Sequence, residues 1–178
     1  MTNDAHACFN LLLSSAKSGR IREALAHYRS ASDAWHALAQ SDRSLNHGLK
    51  AHSSLIERGM HWLQQPGCHL IAWHQQDYPE SLRHVASPPA FLFVRGRKEL
   101  LWHRQIGIVG SRQPSASGKE CAHYFARRLA ASGFTVTSGL ARGIDAAAHL
   151  GAMSAGQTIA ALATGPHMAF PSRNQDQY

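Results

Sequence analysis

Acidic side chains are scarce in this chain of 178 residues: 11 Asp+Glu stand against 18 Lys+Arg, so the formal charge is +7 with the 13 histidines neutral. Cysteine is scarcer still. Cys8, Cys68 and Cys121 are odd in number and far apart, which excludes a C-x-x-C metal knuckle and argues against a disulfide framework. No apolar run approaches the length of a membrane span; Leu11, Leu12 and Leu13 are followed at once by Ser14, Ser15 and Lys17. The opening stretch, MTNDAHACFN, holds an acid and no basic segment, so no secretory signal is expected. The chain has neither a G-x-G-x-x-G nor a G-x-x-x-x-G-K-[ST] loop, which leaves NAD, FAD or P-loop nucleotide binding without support. Hydrophobic residues make up 44% and charged residues 16%, a globular composition. These absences lead to the expectation of a cytoplasmic protein with no membrane span, built as one domain or one domain with a small appendage.

The charge that is present is placed unevenly. Residues 1–87 hold eight Lys/Arg and seven Asp/Glu, or +1, whereas residues 88–178 hold ten and four, or +6. A basic excess on one segment suits a phosphate or nucleic-acid binder, and it equally suits a merely solvated basic surface. Motifs have to decide between the two.

Residues 1–66 read as a small all-helical domain. Phe9, Leu12, Leu13 and Ala16 fit one helical stripe, and Ile21, Leu25 and Tyr28 fit a second. A third helix is expected to start at Ser32 as N-cap and to carry Trp35 and Leu38. A last runs from Leu45 to Leu63 and stops at Pro66-Gly67. Residues 67–178 change character. Short strands are expected at His69–Trp73 and Phe91–Val94, separated by Asp77-Tyr78-Pro79, a helical stretch around Leu82 and the stiff connector Ser87-Pro88-Pro89. From Gln105 strand and helix alternate: a buried-type strand Ile106–Val109, a helix with Cys121, Phe125 and Leu129 at i, i+4, i+8, a strand Phe134–Thr137, a helix Ile144–Ala155 and a strand Thr158–Leu162. That order is βαβαβ, half of a doubly wound parallel α/β sheet of Rossmann-like type, whose ligands bind beyond the carboxyl ends of the strands.

Three small-residue loops stand at those ends: Gly110-Ser111-Arg112, Ser138–Gly143 and Thr164-Gly165. Gly110 allows a tight turn, Ser111 offers a hydroxyl, and Arg112 adds a planar fork suited to phosphate. Gly139 and Gly143 flank a strand-to-helix turn, where free N–H groups and the helix dipole favour an anion. Arg142 stands at that helix start, where its own cation opposes the dipole and a ligand phosphate would compensate it. Asp145 reads first as a capping carboxylate, and Asp145 with His149, four residues on, reads as a hydrogen-bonded structural pair before an acid–base couple. No nucleophile elbow accompanies them. The scattered histidines read as solvated or core residues rather than metal ligands, so no metal and no cofactor is expected. Trp35, Trp62, Trp73 and Trp102 read as packing residues. Arg95-Gly96-Arg97-Lys98 fits a DNA groove or a solvated turn equally well.

Taken in order, Asp77-Tyr78-Pro79…Leu82, Pro88-Pro89…Leu92-Phe93-Val94-Arg95-Gly96, Ile108-Val109-Gly110-Ser111-Arg112 and Ser138-Gly139-Leu140-Ala141-Arg142-Gly143-Ile144-Asp145…His149 resemble the DprA/Smf family, the DNA-processing proteins of bacterial natural transformation. The resemblance covers about residues 67–174 and puts residues 1–66 in the place of the family's SAM-like helical domain. It implies an extended Rossmann-like fold and a function that is not enzymatic: binding and protecting incoming single-stranded DNA, dimerising, and loading the RecA recombinase onto the strand. Carried over by position, Gly110, Ser111, Arg112, Ser138, Gly139, Arg142, Gly143, Thr164, Gly165, Arg173 and Asn174 would form the DNA pocket. Two positions depart from the family pattern. His167 stands where an acid is usual, and Phe170-Pro171 is followed by Ser172, with the basic Arg173 one place later. The family's sheet also continues beyond the third strand of this half, so a gene product shortened at its C-terminus is expected, with the homodimer surface largely in the absent part. Two alternatives stand beside this reading. One is a Rossmann-like nucleotide-binding enzyme of the nucleoside-monophosphate glycosidase type, although its P-G-G-x-G-T loop and glutamate are absent here. The other is an inactive gene fragment.

Overall fold

A computed structural model describes residues 2–46 and 52–163, and the chain divides into two compact units, residues 1–98 and 99–178. In the first unit the helices α1 (Thr2–Leu13), α2 (Ser18–Tyr28), α3 (Ala31–Ser41) and α4 (Ser53–Leu63) precede two strands, β1 (Cys68–Ala72) and β2 (Phe91–Arg95). The α1 stripe runs through Ala7, Cys8 and Leu11, while Leu12 is 44% exposed. Of the expected stripe Phe9 is buried, whereas Leu11 takes the inward place expected of Leu12, because Leu11 and not Leu12 lies four residues from Ala7. The N-cap of α3 is Ser30, whose Oγ accepts the Asp33 N–H at 3.2 Å. Ser32, expected in that role, lies inside the first turn and donates its N–H to Asp4 on α1. Either serine satisfies the local pattern, and the tertiary bond from Asp4 accompanies the earlier start.

β1 and β2 pair antiparallel, from Cys68 opposite Arg95 to Ala72 opposite Phe91. Between them α5 (Glu80–Arg83) and the Pro88-Pro89 connector are locked by polar bonds to backbone. The buried Tyr78 donates its hydroxyl to the Pro89 carbonyl at 2.8 Å. Arg83 donates to the carbonyls of Trp73 and Gln75 while lying about 5 Å from the rings of Trp73 and Tyr78. Ala72, Ala90 and Phe91 join the same apolar cluster as Leu11, Leu25 and Trp35. Shared core thus puts the two-stranded sheet with the helices, and the compact division falls after Lys98 rather than at the change of character after Pro66.

The second unit is the α/β half-sheet. β3 (Gln105–Gly107), α6 (Ala116–Ala131), β4 (Thr135–Ser138), α7 (Ile144–Met153) and β5 (Gln157–Ala160) follow in order. The strands lie parallel in the sequence β3-β4-β5, with Ile106 beside Val136 and Val136 beside Thr158. This is the Rossmann-like βαβαβ arrangement expected from the alternation. Two details differ from expectation. β3 stops at Gly107, and Val109 is 76% exposed instead of completing a buried strand. On α6 the buried face is Ala122, Ala126 and Ala130, the last two packed with Val136, Ala148 and Ala152; of the expected stripe Leu129 packs against that cluster, while Cys121 and Phe125 are exposed. The reason is how closely the backbones approach. A Cβ on Gly151 of α7 would come within 2.9 Å of the His123 carbonyl carbon, and one on Gly156 within 2.8 Å of the Ala130 oxygen. A seam that tight admits alanine and excludes phenylalanine, so both helices turn their small residues inward.

Candidate nucleic-acid interface

The first two strand-end loops are pressed together. Gly143, the N-cap of α7, has φ +94°, and a Cβ there would overlap the Ser111 carbonyl oxygen and lie 2.9 Å from Arg112 Cα. The Ile144 N–H donates to that same Ser111 oxygen at 3.1 Å. Gly110 is packed against Ile144, since a Cβ on it would lie 2.8 Å from Ile144 Cγ1. Glycine at 143 lets backbone meet backbone, and glycine at 110 leaves room for the Ile144 side chain. The result is one continuous edge, Gly110-Ser111-Arg112 against Arg142-Gly143-Ile144.

Each loop is also braced from within. The Ser111 hydroxyl accepts the Gln113 N–H, and the Ser115 hydroxyl caps α6 by accepting the Gly118 N–H. In the second loop the buried Ser138 donates its hydroxyl to the Ile108 carbonyl at 2.6 Å. Its side chain thus ties β4 to the end of β3 instead of facing outward. Leu140 is buried with φ +56°, a left-handed conformation held by its surroundings. Asp145 accepts the Ala141 N–H at 3.4 Å and lies where a Cβ on Gly139 would be 3.0 Å from its Oδ2. The carboxylate stands in the first turn of the helix, as the dipole favours, but its bond goes to the loop ahead of the N-cap rather than to a helix N–H.

His149 does not pair with Asp145. Its Nδ1 lies 2.7 Å from Thr158 Oγ1, and the Thr158 hydroxyl donates to the Val136 carbonyl, so Nδ1 carries the proton donated to Thr158. Nε2 is buried without a hydrogen-bond partner. Burial pushes the imidazole below its ordinary value of 6.5, opposed by the Asp145 charge and the Ser138 backbone. A neutral ring spanning α7, β5 and β4 is a structural clamp. The expected Asp145–His149 pair failed because Thr158, nine residues on, supplies a nearer partner that helical spacing does not show.

Electrostatically the two units differ. All four ion pairs among the described residues lie within residues 20–98. In the second unit Arg112, Lys119, Arg127, Arg128 and Arg142 are exposed and form no ion pair among the described residues. Arg112 and Arg142 both stand at the continuous loop edge, beside the N-terminus of α7, whose first turn carries the buried Asp145. Thr164, Gly165, Arg173 and Asn174 lie outside the described residues. No cluster of three or more His, Cys, Asp or Glu able to hold a metal occurs among the described residues, and no helix among them is long and apolar enough to cross a membrane. The contributions of Ile144 and Leu140 were missed by sequence reasoning. Their signal was weak, since apolar residues beside glycines read as ordinary helix and loop.

The profile of the family described as DNA recombination-mediator protein A matches residues 69–178. Protein Smf of Escherichia coli is 39% identical over 138 residues, 77% of this chain and 36% of that protein. The DNA processing protein DprA of Bacillus subtilis is 36% identical over 113 residues, 62% of this chain and 38% of that protein. The chain therefore spans little more than a third of the length of these relatives. Among solved structures, DNA processing protein A of Streptococcus pneumoniae superposes with a TM-score of 0.77 at 23% identity, over 97% of this chain and 62% of that one, a likeness of fold. DNA processing protein A of Helicobacter pylori, described for its single-stranded DNA binding mode, gives a TM-score of 0.54 at 25% identity, over 61% of this chain and 49% of that one.

Proposed function

Because the chain belongs to the DNA recombination-mediator protein A family, we propose that it binds single-stranded DNA in DNA processing, at the edge formed by its first two strand-end loops. The observation that carries this reading is the docking of Gly143 on Ser111, which brings the backbones of the Arg112 and Arg142 loops together, both arginines being exposed and in no ion pair among the described residues. Phosphates of a strand would lie along that edge, held by two guanidinium forks and by the α7 N-terminus. Gly110, Gly139 and Gly143 would contribute close backbone, Ser111 a hydroxyl, and Ser138 the internal brace that sets the loop's height. Thr164, Gly165, Arg173 and Asn174, outside the described residues, belong to the same pocket in this reading. Binding is then largely independent of sequence and strongly dependent on salt.

The role is not catalytic. His149, the histidine nearest this edge in sequence, is buried and committed to Thr158. The wider duties inferred for the whole protein follow from its relatives' processing role: protection of incoming strands, transfer of the strand to the RecA recombinase, and action as a homodimer. In functional terms residues 1–66 form a helical accessory domain and residues 67–178 carry the DNA-binding function.

Fluorescence anisotropy of a labelled oligothymidine tests the site. Arg112→Ala and Arg142→Ala should each weaken binding about tenfold or more, since a charged hydrogen bond to phosphate contributes roughly 1.5–3 kcal/mol. Each should also flatten the log–log salt dependence by about 0.7. Equal binding by Arg112→Ala and the unsubstituted chain would remove the assignment.

A further inference from the structure

We propose that the outward face of α6 is a second contact for the same single strand, a stacking platform beyond the loops. This extends the reading of the loops as a single-stranded DNA site. Tyr124 and Phe125 are 58% and 55% exposed, with their rings edge to face at a centroid distance of 5.7 Å. Their position follows from the alanine seam. With Ala122, Ala126 and Ala130 turned inward, a helix advancing about 100° per residue points Tyr124 away from the core, with Arg128 one turn beyond it and Phe125 on the flank. Among the described residues neither ring enters the α6–α7 seam, which has no room for one.

The chemistry around the rings selects the occupant. Arg127 and Arg128 on the same helix are exposed, lie close to Tyr124 around its axis and form no ion pair among the described residues; the one acid, Glu120, stands a turn before Tyr124, and Lys119 falls on the side of Ala122. A scattered exposed apolar residue is ordinary, but two adjacent rings beside Arg127 and Arg128, neither in an ion pair among the described residues, combine base-stacking surface with phosphate-neutralising charge. An apolar protein partner would leave those cations uncompensated, whereas a polyanion carrying planar bases meets both features. The location fits a continuous track. α6 begins beside the Gly110–Arg112 loop and is capped by Ser115, so Tyr124 lies about 13 Å further along the helix axis. A strand leaving the loops along α6 reaches the rings within a few nucleotides.

Two oligothymidines distinguish this contact from the loops: one of about 6 nucleotides, sized for the loops alone, and one of about 20 nucleotides. Binding is followed by fluorescence anisotropy across a salt series with the full chain. The variants are Tyr124→Leu/Phe125→Leu, which keeps apolar bulk and removes both rings, and Arg127→Ser/Arg128→Ser. With the short strand both variants should match the parent. With the long strand the ring variant should bind about fivefold more weakly or worse for each ring, and the arginine variant should lose about 1.4 from the salt slope, about 0.7 for each phosphate contact. Unchanged long-strand binding by the ring variant overturns the proposal, as does a change of oligomeric state in that variant, which would make the face a protein contact. Arg112→Ala on the short strand reads the loops separately. If it abolishes short-strand binding while the ring variant is silent on the long one, the platform falls and the loop site stands. If it is silent while the ring variant weakens the long strand, the loop site falls and the platform stands.

Discussion

Gly143→Ala should be the most damaging single methyl that can be added to the second unit. Two costs combine there. At φ +94° an alanine occupies backbone space that L-residues rarely adopt, at about 1–3 kcal/mol. Its methyl would also overlap the Ser111 carbonyl oxygen and stand 2.9 Å from Arg112 Cα. These neighbours are backbone and cannot swing aside, so relief requires parting the loops, at a further ~1–3 kcal/mol. Gly133→Ala is the control for a positive φ without a clash, because Gly133 has φ +86° with nothing within 4 Å of the added methyl. It carries the first cost without the second. Amide hydrogen exchange of residues 105–163 reads the second unit separately from the first. Gly143→Ala should lower protection of that segment by about 2–5 kcal/mol, and Gly133→Ala by about 1–3 kcal/mol. Strand binding should weaken with Gly143→Ala and hold with Gly133→Ala. If the two substitutions prove equal in both measurements, the loops are not docked through Gly143 and the continuous Arg112–Arg142 edge is wrong.

Three other outcomes follow from the packing. Burial holds His149 below its ordinary value of 6.5, so folding favours the neutral ring; the stability it contributes is full above that value and is lost as pH falls towards the lower, folded value. Denaturation of His149→Gln and of the parent from pH 8 to pH 5 should show the parent's advantage shrinking with acid; an advantage that grows would contradict the burial argument. On α6, Ala126→Leu should destabilise by about 1–3 kcal/mol through overpacking of the seam, while Phe125→Ser stays within about 0.5 kcal/mol, and thermal unfolding of both variants checks the helix's facing. Among the cysteines, Cys121 is exposed while burial pushes the Cys8 thiol up to about 12, so a thiol reagent at pH 8 should label Cys121 and spare Cys8.

Periodicity was a sound guide to the kind of element and a poorer one to its facing. The βαβαβ order could be read because β-branched runs alternate with long helical stretches, and the loops could be read because glycine and arginine cluster at strand ends. The facing of α6 could not. A pattern that ranks residues by hydrophobicity chooses Phe125 over Ala126, whereas two backbones in contact rank them by size. The same blindness applied at α1, where Leu11 and Leu12 are equal as residues and the neighbouring helices decide between them. Within the site, Arg112, Arg142 and the glycines were visible as residue types. The inward turn of Ser138 and the bond from His149 to Thr158 were not, since each depends on a strand distant in sequence. The separation of β1 and β2 from the parallel sheet was hidden for a related reason: a short strand carries no label of the sheet it will join.

The backbone-tight seam between α6 and α7 has a consequence for how this protein can change over generations. Inner positions such as Ala122, Ala126 and Gly151 leave room for hardly an added carbon, so variants that enlarge them are removed whatever the protein binds. Outer positions one residue away meet no such limit, and their chemistry can drift without cost to the fold. A single helix thus offers two separate substrates for selection: one side that records the architecture and one free to record the ligand.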